Sequence, residues 1–87
     1  MAGNKVSGAE PRYPTIAIAA RVQGTVVLAA TISKTGTIEN LRVVSGASML
    51  AMAAEQAVQT WRYRPYLLNG APVEVETTVR VLFHLGG

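Results

Sequence analysis

Cysteine is missing from this 87-residue chain, so neither a disulfide nor a thiolate can take part in its structure or chemistry. Aspartate is missing too, and the acids are five glutamates, at positions 10, 39, 55, 74 and 76, beside a single histidine, His84. A nucleophile needs a base to activate it, and His84 is the one ordinary candidate. A divalent metal needs three or four clustered ligands. Glu74, Glu76 and His84 share one face of an extended segment, but eight residues at ~3.3 Å each put His84 ~26 Å from Glu76. An enzyme is not expected, nor is a cofactor. No apolar run approaches the ~20 residues that cross a bilayer as a helix, and the polar start of the chain has no signal-peptide core. Charge is scarce as well, at 15% of residues against 49% hydrophobic, which describes a folded domain and not a disordered one. The net charge of +3 comes from eight basic residues scattered from Lys5 to Arg80, without the clustering of a nucleic-acid binder.

What is present organises into one small domain. Residues 1–9 mix Gly, Ser, Asn and Lys and read as a flexible linker or an expression scar, leaving 10–87 as the domain. Tyr13-Pro14 precedes a short helix over 15–22, with proline at its opening and Arg21 near its end. Residues 25–33 alternate as a strand, Lys34-Thr35-Gly36 turn the chain, and 38–45 return, with a less clean alternation. Ser48 offers an N-cap for a second helix, on which Leu50, Ala54, Ala57, Val58 and Trp61 form one stripe, ending near Thr60. In Trp61-Arg62-Tyr63-Arg64-Pro65-Tyr66, extended geometry puts Trp61 and Tyr63 on one face and the arginines on the other, and Pro65 fits an edge or an end. Asn69-Gly70 is a turn signal. Residues 73–85 then alternate without a break, a strand of ~43 Å at ~3.3 Å per residue. The expected fold is α+β, a small antiparallel sheet with two helices packed on one face, in the order α-β-β-α-β.

Several of these residues carry two readings. Trp61 continues the helix stripe and reads as a core anchor before it reads as a ligand platform. Arg62, Arg64 and Arg80 with Tyr63 and Tyr66 could stack and bind nucleic acid, though a solvated basic face is the plainer reading. Tyr13-Pro14 serves equally to start a helix and to touch a partner, and the two roles are compatible.

Tyr13-Pro14, Arg21-Val22-Gln23-Gly24, Thr35-Gly36-Thr37-Ile38, Val44-Ser45-Gly46, Ala53-Ala54 with Ala57-Val58, Trp61-Arg62-Tyr63-Arg64-Pro65 and Val81-Leu82-Phe83-His84-Leu85 together resemble the C-terminal domain of TonB-type energy transducers. The resemblance runs over about 11–85. It implies a periplasmic domain carried on a Pro-rich linker from an inner-membrane anchor, which engages an ExbB/ExbD-type motor complex. It also implies that the domain grips the TonB box of an outer-membrane transporter for siderophore or vitamin uptake by strand addition, and passes force to it. By position, the side-chain contact segment would be Glu10, Pro11, Arg12, Tyr13 and Pro14. The docking edge would be the backbone of Thr78, Val79, Arg80, Val81, Leu82, Phe83, His84 and Leu85. A long strand with an open edge can also pair with its own copy, so a two-fold homodimer in competition with peptide is expected. The neighbouring alternative is a TolA-like module or the C-terminal domain of a sensor protein, with nucleic-acid binding further off.

Overall fold

A computed structural model describes residues 5–86. The chain runs through β1 (Lys5–Ser7), α1 (Thr15–Ala19), β2 (Gly24–Ile32), β3 (Ile38–Ser45), α2 (Ser48–Gln59), β4 (Arg62–Tyr63), β5 (Tyr66–Leu68), β6 (Ala71–Val73) and β7 (Val75–Phe83). The class is α+β with two helices and antiparallel strands, as expected. The order α-β-β-α-β is corrected: the central sheet has the order β3-β2-β7, while β1 with β4 and β5 with β6 form two further antiparallel pairs.

The hairpin of β2 and β3 forms where the alternation placed it. Ser33 builds the turn, accepting from the Thr35 and Thr37 amides through Oγ at 3.3 and 3.1 Å and sharing hydrogen bonds with both threonine hydroxyls. The irregular pattern over 38–45 has a structural cause. Between the pairs Thr31↔Glu39 and Ala29↔Arg42, and again between Leu28↔Val43 and Val27↔Ser45, β3 carries one residue more than β2. These are bulges, and Asn40 takes the left-handed φ of 52° at the first. β2 and β7 in contrast pair without interruption from Gly24↔Phe83 to Ile32↔Val75.

Period two then fixes the core. Val26, Leu28, Ala30 and Ile32 from β2 meet Val79, Val81 and Phe83 from β7 on one sheet face, and α2 covers them with Leu50, Ala54 and Val58. Burying each large apolar side chain contributes ~1.5–3 kcal/mol. Ala17 of α1 joins the same core cluster. α1 is shorter than the span 15–22: Ala20 caps it, Arg21 turns left-handed at φ 56°, and the Val22 amide closes onto the Ala17 carbonyl at 2.8 Å. At α2 the cap is Ala47 and not Ser48, which is the first helical residue, and no side chain caps the end.

The thirteen-residue strand over 73–85 is two strands. Asn69 and Gly70 both take positive φ (51° and 81°), so the turn folds Tyr66–Leu68 back onto Ala71–Val73 and claims those residues for a separate hairpin. Glu74 divides the two. The far end stops at Phe83 because its partner strand starts at Gly24. His84 and Leu85 lie beyond β7, with the Leu85 amide donating to Gln23 Oε1 at 3.0 Å. At the near end of the chain, Lys5–Ser7, within the segment read as linker or scar, pair with β4; residues 1–4 of that segment lie outside the described residues.

Tyr63 of β4 sits in the core, 3% exposed, and its hydroxyl has no hydrogen-bond partner among the described residues. Burial pushes the phenol pKa above its ordinary value, and the neighbouring Tyr66 adds to the shift. Above the ordinary tyrosine value of about 10 the unfolded chain gives up this proton while the folded chain keeps it, so stability falls as pH rises from there through the folded pKa. Tyr63→Phe removes an unpaired polar atom, and we expect it to raise unfolding free energy by about 1 kcal/mol at neutral pH. In urea titrations at pH 7 and above pH 10, the variant should also lose less stability on alkalinisation than the parent.

Candidate strand-docking edge

β7 has β2 on one side and no strand on the other among the described residues. Which of its main-chain groups face that open side is set by parity. The Ser33 amide donates to the Thr37 carbonyl at 2.9 Å, towards β3. In an antiparallel strand the direction alternates, so odd-numbered residues of β2 bond to β3 and even-numbered ones to β7. The bulges lie in β3 and leave that alternation intact. Even residues of β2 sit opposite odd residues of β7, as in Leu28↔Val79 and Val26↔Val81. The odd residues of β7 therefore bond inwards, and Glu76, Thr78, Arg80 and Leu82 turn their N–H and C=O groups to the open edge. The Leu85 amide, which reaches back to Gln23 on the β2 side, continues the same parity.

The side chains of those four residues lie on the solvent face, all exposed, with Leu82 at 70%. Val79, Val81 and Phe83, the alternate members of the expected edge, are buried and hold the strand to the core. A hollow of about 580 Å³ lies on the solvent face between Arg42 and Arg80, floored by the small residues Ala29 and Thr78 and bounded by Glu76. An extended segment laid along β7 would thus gain main-chain partners at alternate positions and find its side chains beside a polar face.

In the second expected group, Glu10 to Pro14, Glu10 and Arg12 share a shallow hollow with Ala53 and Gln56 of α2. Tyr13 packs inwards: its hydroxyl donates to the Val22 carbonyl at 2.5 Å and its ring stands edge-on to Phe83, centroids 5.3 Å apart. Pro14 is the N-cap residue of α1, at φ −63°. Glu10 and Arg12 remain exposed. Tyr13 and Phe83 thus join the two expected groups at one point. Tyr63, in the core, cannot stack on a base, and Arg62 turns back to the carbonyls of Thr60 and Trp61 at 3.4 and 3.1 Å. Sequence reasoning did not find the role of residues 5–9, which cover Trp61. A strand of three residues carries almost no periodic signal, and its partner lies more than fifty residues away.

A domain of two helices and a three-stranded antiparallel sheet, whose outer strands β3 and β7 each lack a second strand neighbour among the described residues, defines a small α+β module without metal-ligand clusters among those residues. The chain belongs to the TonB C-terminal family: the family model described as Gram-negative bacterial TonB protein C-terminal matches residues 9–85. It is similar to Protein TonB of Vibrio cholerae, 31% identical over 80 residues that cover 90% of this chain and 33% of that protein. It is likewise 33% identical over 84 residues to Protein TonB of Klebsiella pneumoniae, covering 94% of this chain and 32% of the relative. The chain spans about a third of the length of these curated relatives. The solution NMR structure of the Pseudomonas aeruginosa TonB C-terminal domain superposes with a TM-score of 0.79 at 26% identity, over 95% of this chain and 86% of that one.

Proposed function

We propose that this domain docks the TonB box of an outer-membrane transporter by strand addition at β7. In this reading it is the periplasmic end of a TonB-type energy transducer, linked through an inner-membrane anchor to an ExbB/ExbD-type motor. The observation that carries the proposal is the outer edge of β7, where four residues offer main-chain groups at regular spacing. Family membership supports it. Each main-chain hydrogen bond contributes ~0.5–1.5 kcal/mol net. Up to eight of them, one N–H and one C=O from each of the four residues, give about 4–12 kcal/mol, which less the cost of ordering a peptide leaves affinity of micromolar order or weaker, suited to a partner gripped and released. Strands loaded along their length share force over all their bonds, so a docked box pulled in shear would bear more load than its equilibrium affinity implies.

The same edge is open to a second copy, since beyond Glu76 it carries Arg80 and His84 as its sole ionisable side chains. Titration calorimetry with a synthetic TonB-box peptide, combined with sedimentation at rising concentration, tests the reading. Micromolar binding that shifts any dimer towards monomer is the expected result. A dimer that saturating peptide leaves intact would place self-association elsewhere, and no binding of any transporter's box peptide would remove the docking function.

A further inference from the structure

The solvent face of the sheet carries a group of side chains that main-chain docking at the edge does not use. Its rows follow from the register. Glu76 lies opposite Thr31, Thr78 opposite Ala29 and Arg80 opposite Val27. From the other side of β2, Glu39 lies opposite Thr31 and Arg42 opposite Ala29. Directly opposite residues share a face, so Arg42, Ala29 and Thr78 form one row. The first bulge of β3 is what puts Arg42 there. With an unbroken register from Thr31↔Glu39, Leu41 would stand opposite Ala29 and Arg42 opposite Leu28, on the core side. The extra residue at Asn40, left-handed at φ 52° and donating from Nδ2 to Thr31 Oγ1 at 3.5 Å, reverses that parity. Leu41 packs against the core instead, and Arg42 is exposed on the solvent face.

Ala29 is the smallest side chain that β2 presents on this face, between Val27 and Thr31, and the hollow of about 580 Å³ lies over it. Two strand spacings of ~4.8 Å across and two residues of ~3.4 Å along set the Arg42 and Arg80 Cα atoms ~12 Å apart on the diagonal. Both side chains line the hollow, so two guanidinium groups approach one volume from different strands. Neither has a carboxylate partner among the described residues. Arg42 donates to the Asn40 carbonyl at 3.4 Å and keeps its remaining N–H donors, while Arg80 has no hydrogen bond or ion pair with any of them. Glu76, the one acid lining the hollow, offsets one of the two cations and leaves an excess of positive charge.

We propose that this hollow binds a phosphate group, free or carried on a lipid headgroup, held by Arg42 and Arg80 with the Thr78 hydroxyl as a third donor. A planar carboxylate presents two oxygens, which one guanidinium fork fills. A tetrahedral phosphate presents oxygens in several directions and takes forks from two sides at once. Arg42 and Arg80 come from different strands and different rows, the arrangement that a tetrahedral anion fits. The small floor at Ala29 lets the anion settle between them. Leu82, 70% exposed, follows Arg80 on the same face and gives a headgroup an apolar neighbour. The site works through side chains alone and stands whether or not a strand docks on β7.

The test titrates inorganic phosphate into the isotope-labelled domain at neutral pH and constant ionic strength, with chloride as the control. NMR follows the Nε–H signals of Arg42 and Arg80 and the amides of Ala29 and Thr78. The parent should show saturable shifts at these groups with affinity of about millimolar order. Arg42→Gln and Arg80→Gln should each bind about tenfold more weakly at an unchanged melting temperature. Glu76→Gln, which removes the like charge, should bind about threefold more tightly. Vesicles of phosphatidylglycerol, compared with phosphatidylcholine in a sedimentation assay, distinguish the sources. Binding to phosphatidylglycerol that Arg42→Gln weakens about tenfold assigns the headgroup, and phosphate binding without vesicle binding assigns the free anion. Shifts that chloride reproduces, or that spread equally to Arg62 and Arg64, overturn the site. So does equal binding of both probes by the parent and Arg42→Gln, or binding of neither.

Discussion

Gly36→Ala destabilises the domain by about 3 kcal/mol or more, lowering its melting temperature by roughly 15 °C. Gly36 lies in the β2–β3 turn at φ +86°, and a Cβ there would sit 2.0 Å from the Tyr63 carbonyl oxygen and 3.1 Å from its carbon. Both contacts are backbone, so no rotamer change relieves them. The clash also pulls apart the bond between the Tyr63 amide and the Gly36 carbonyl, and with it the attachment of β4 to the hairpin. Gly70→Ala is the control. It too has positive φ, +81°, but nothing stands within 4 Å of its would-be Cβ, so only the backbone cost of about 1 kcal/mol applies. Thermal melts of both variants read the difference, and equal losses would show that the approach of Tyr63 to the turn is not tight.

Arg80→Pro abolishes measurable docking of an extended segment while the domain stays folded. The Arg80 amide faces outwards, so proline removes no bond to β2, and an edge position with its N–H to solvent is where sheets accept proline. The pyrrolidine ring replaces an outward donor in the middle of the edge and stands where an incoming strand would lie. An affinity loss of at least thirtyfold is expected, for a stability change of about 1 kcal/mol. Val79→Pro gives the opposite pattern. Val79 bonds inwards, opposite Leu28 in the middle of the uninterrupted ladder, and its side chain is buried. Proline there breaks the central sheet, at ~3 kcal/mol or more. Circular dichroism separates the two variants, and calorimetry with box peptide reads the first. A folded Arg80→Pro that binds as the parent does would mean that the segment docks elsewhere.

Strict alternation made β2 legible, because one face of it meets α2 and the other meets water, and the same holds for Val75 to Phe83. The stripe of α2 was legible for the same reason. Alternation could not show that 73–85 is two strands, since Val73 and Val75 have the same parity whether or not the chain bends at Glu74; the division comes from the Asn69-Gly70 turn and from the end of β2 at Ile32, opposite Val75. Nor could it locate the bulges of β3, which appeared only as a disturbed pattern, or the left-handed Arg21 that ends α1 early. At the candidate site, the open edge could be placed on the last strand through family resemblance, while the outward direction of Glu76, Thr78, Arg80 and Leu82 needed the register with β2. The hold of Trp61 on residues 5–9 was out of reach, because it rests on two hydrogen bonds, a ring contact and one close backbone approach across some fifty residues of chain.

The central claim, that β7 recruits a strand on its outer edge, is tested most directly by residue-resolved amide hydrogen exchange with and without box peptide. In the free domain the amides of Thr78, Arg80 and Leu82 should exchange fast and those of Val79 and Val81 slowly, giving a period of two along the strand. Saturating peptide should slow alternate outward amides by tenfold or more and leave the inward ones as they were. Uniform protection of β7 in the free domain, or peptide-induced protection confined to other elements, would contradict it.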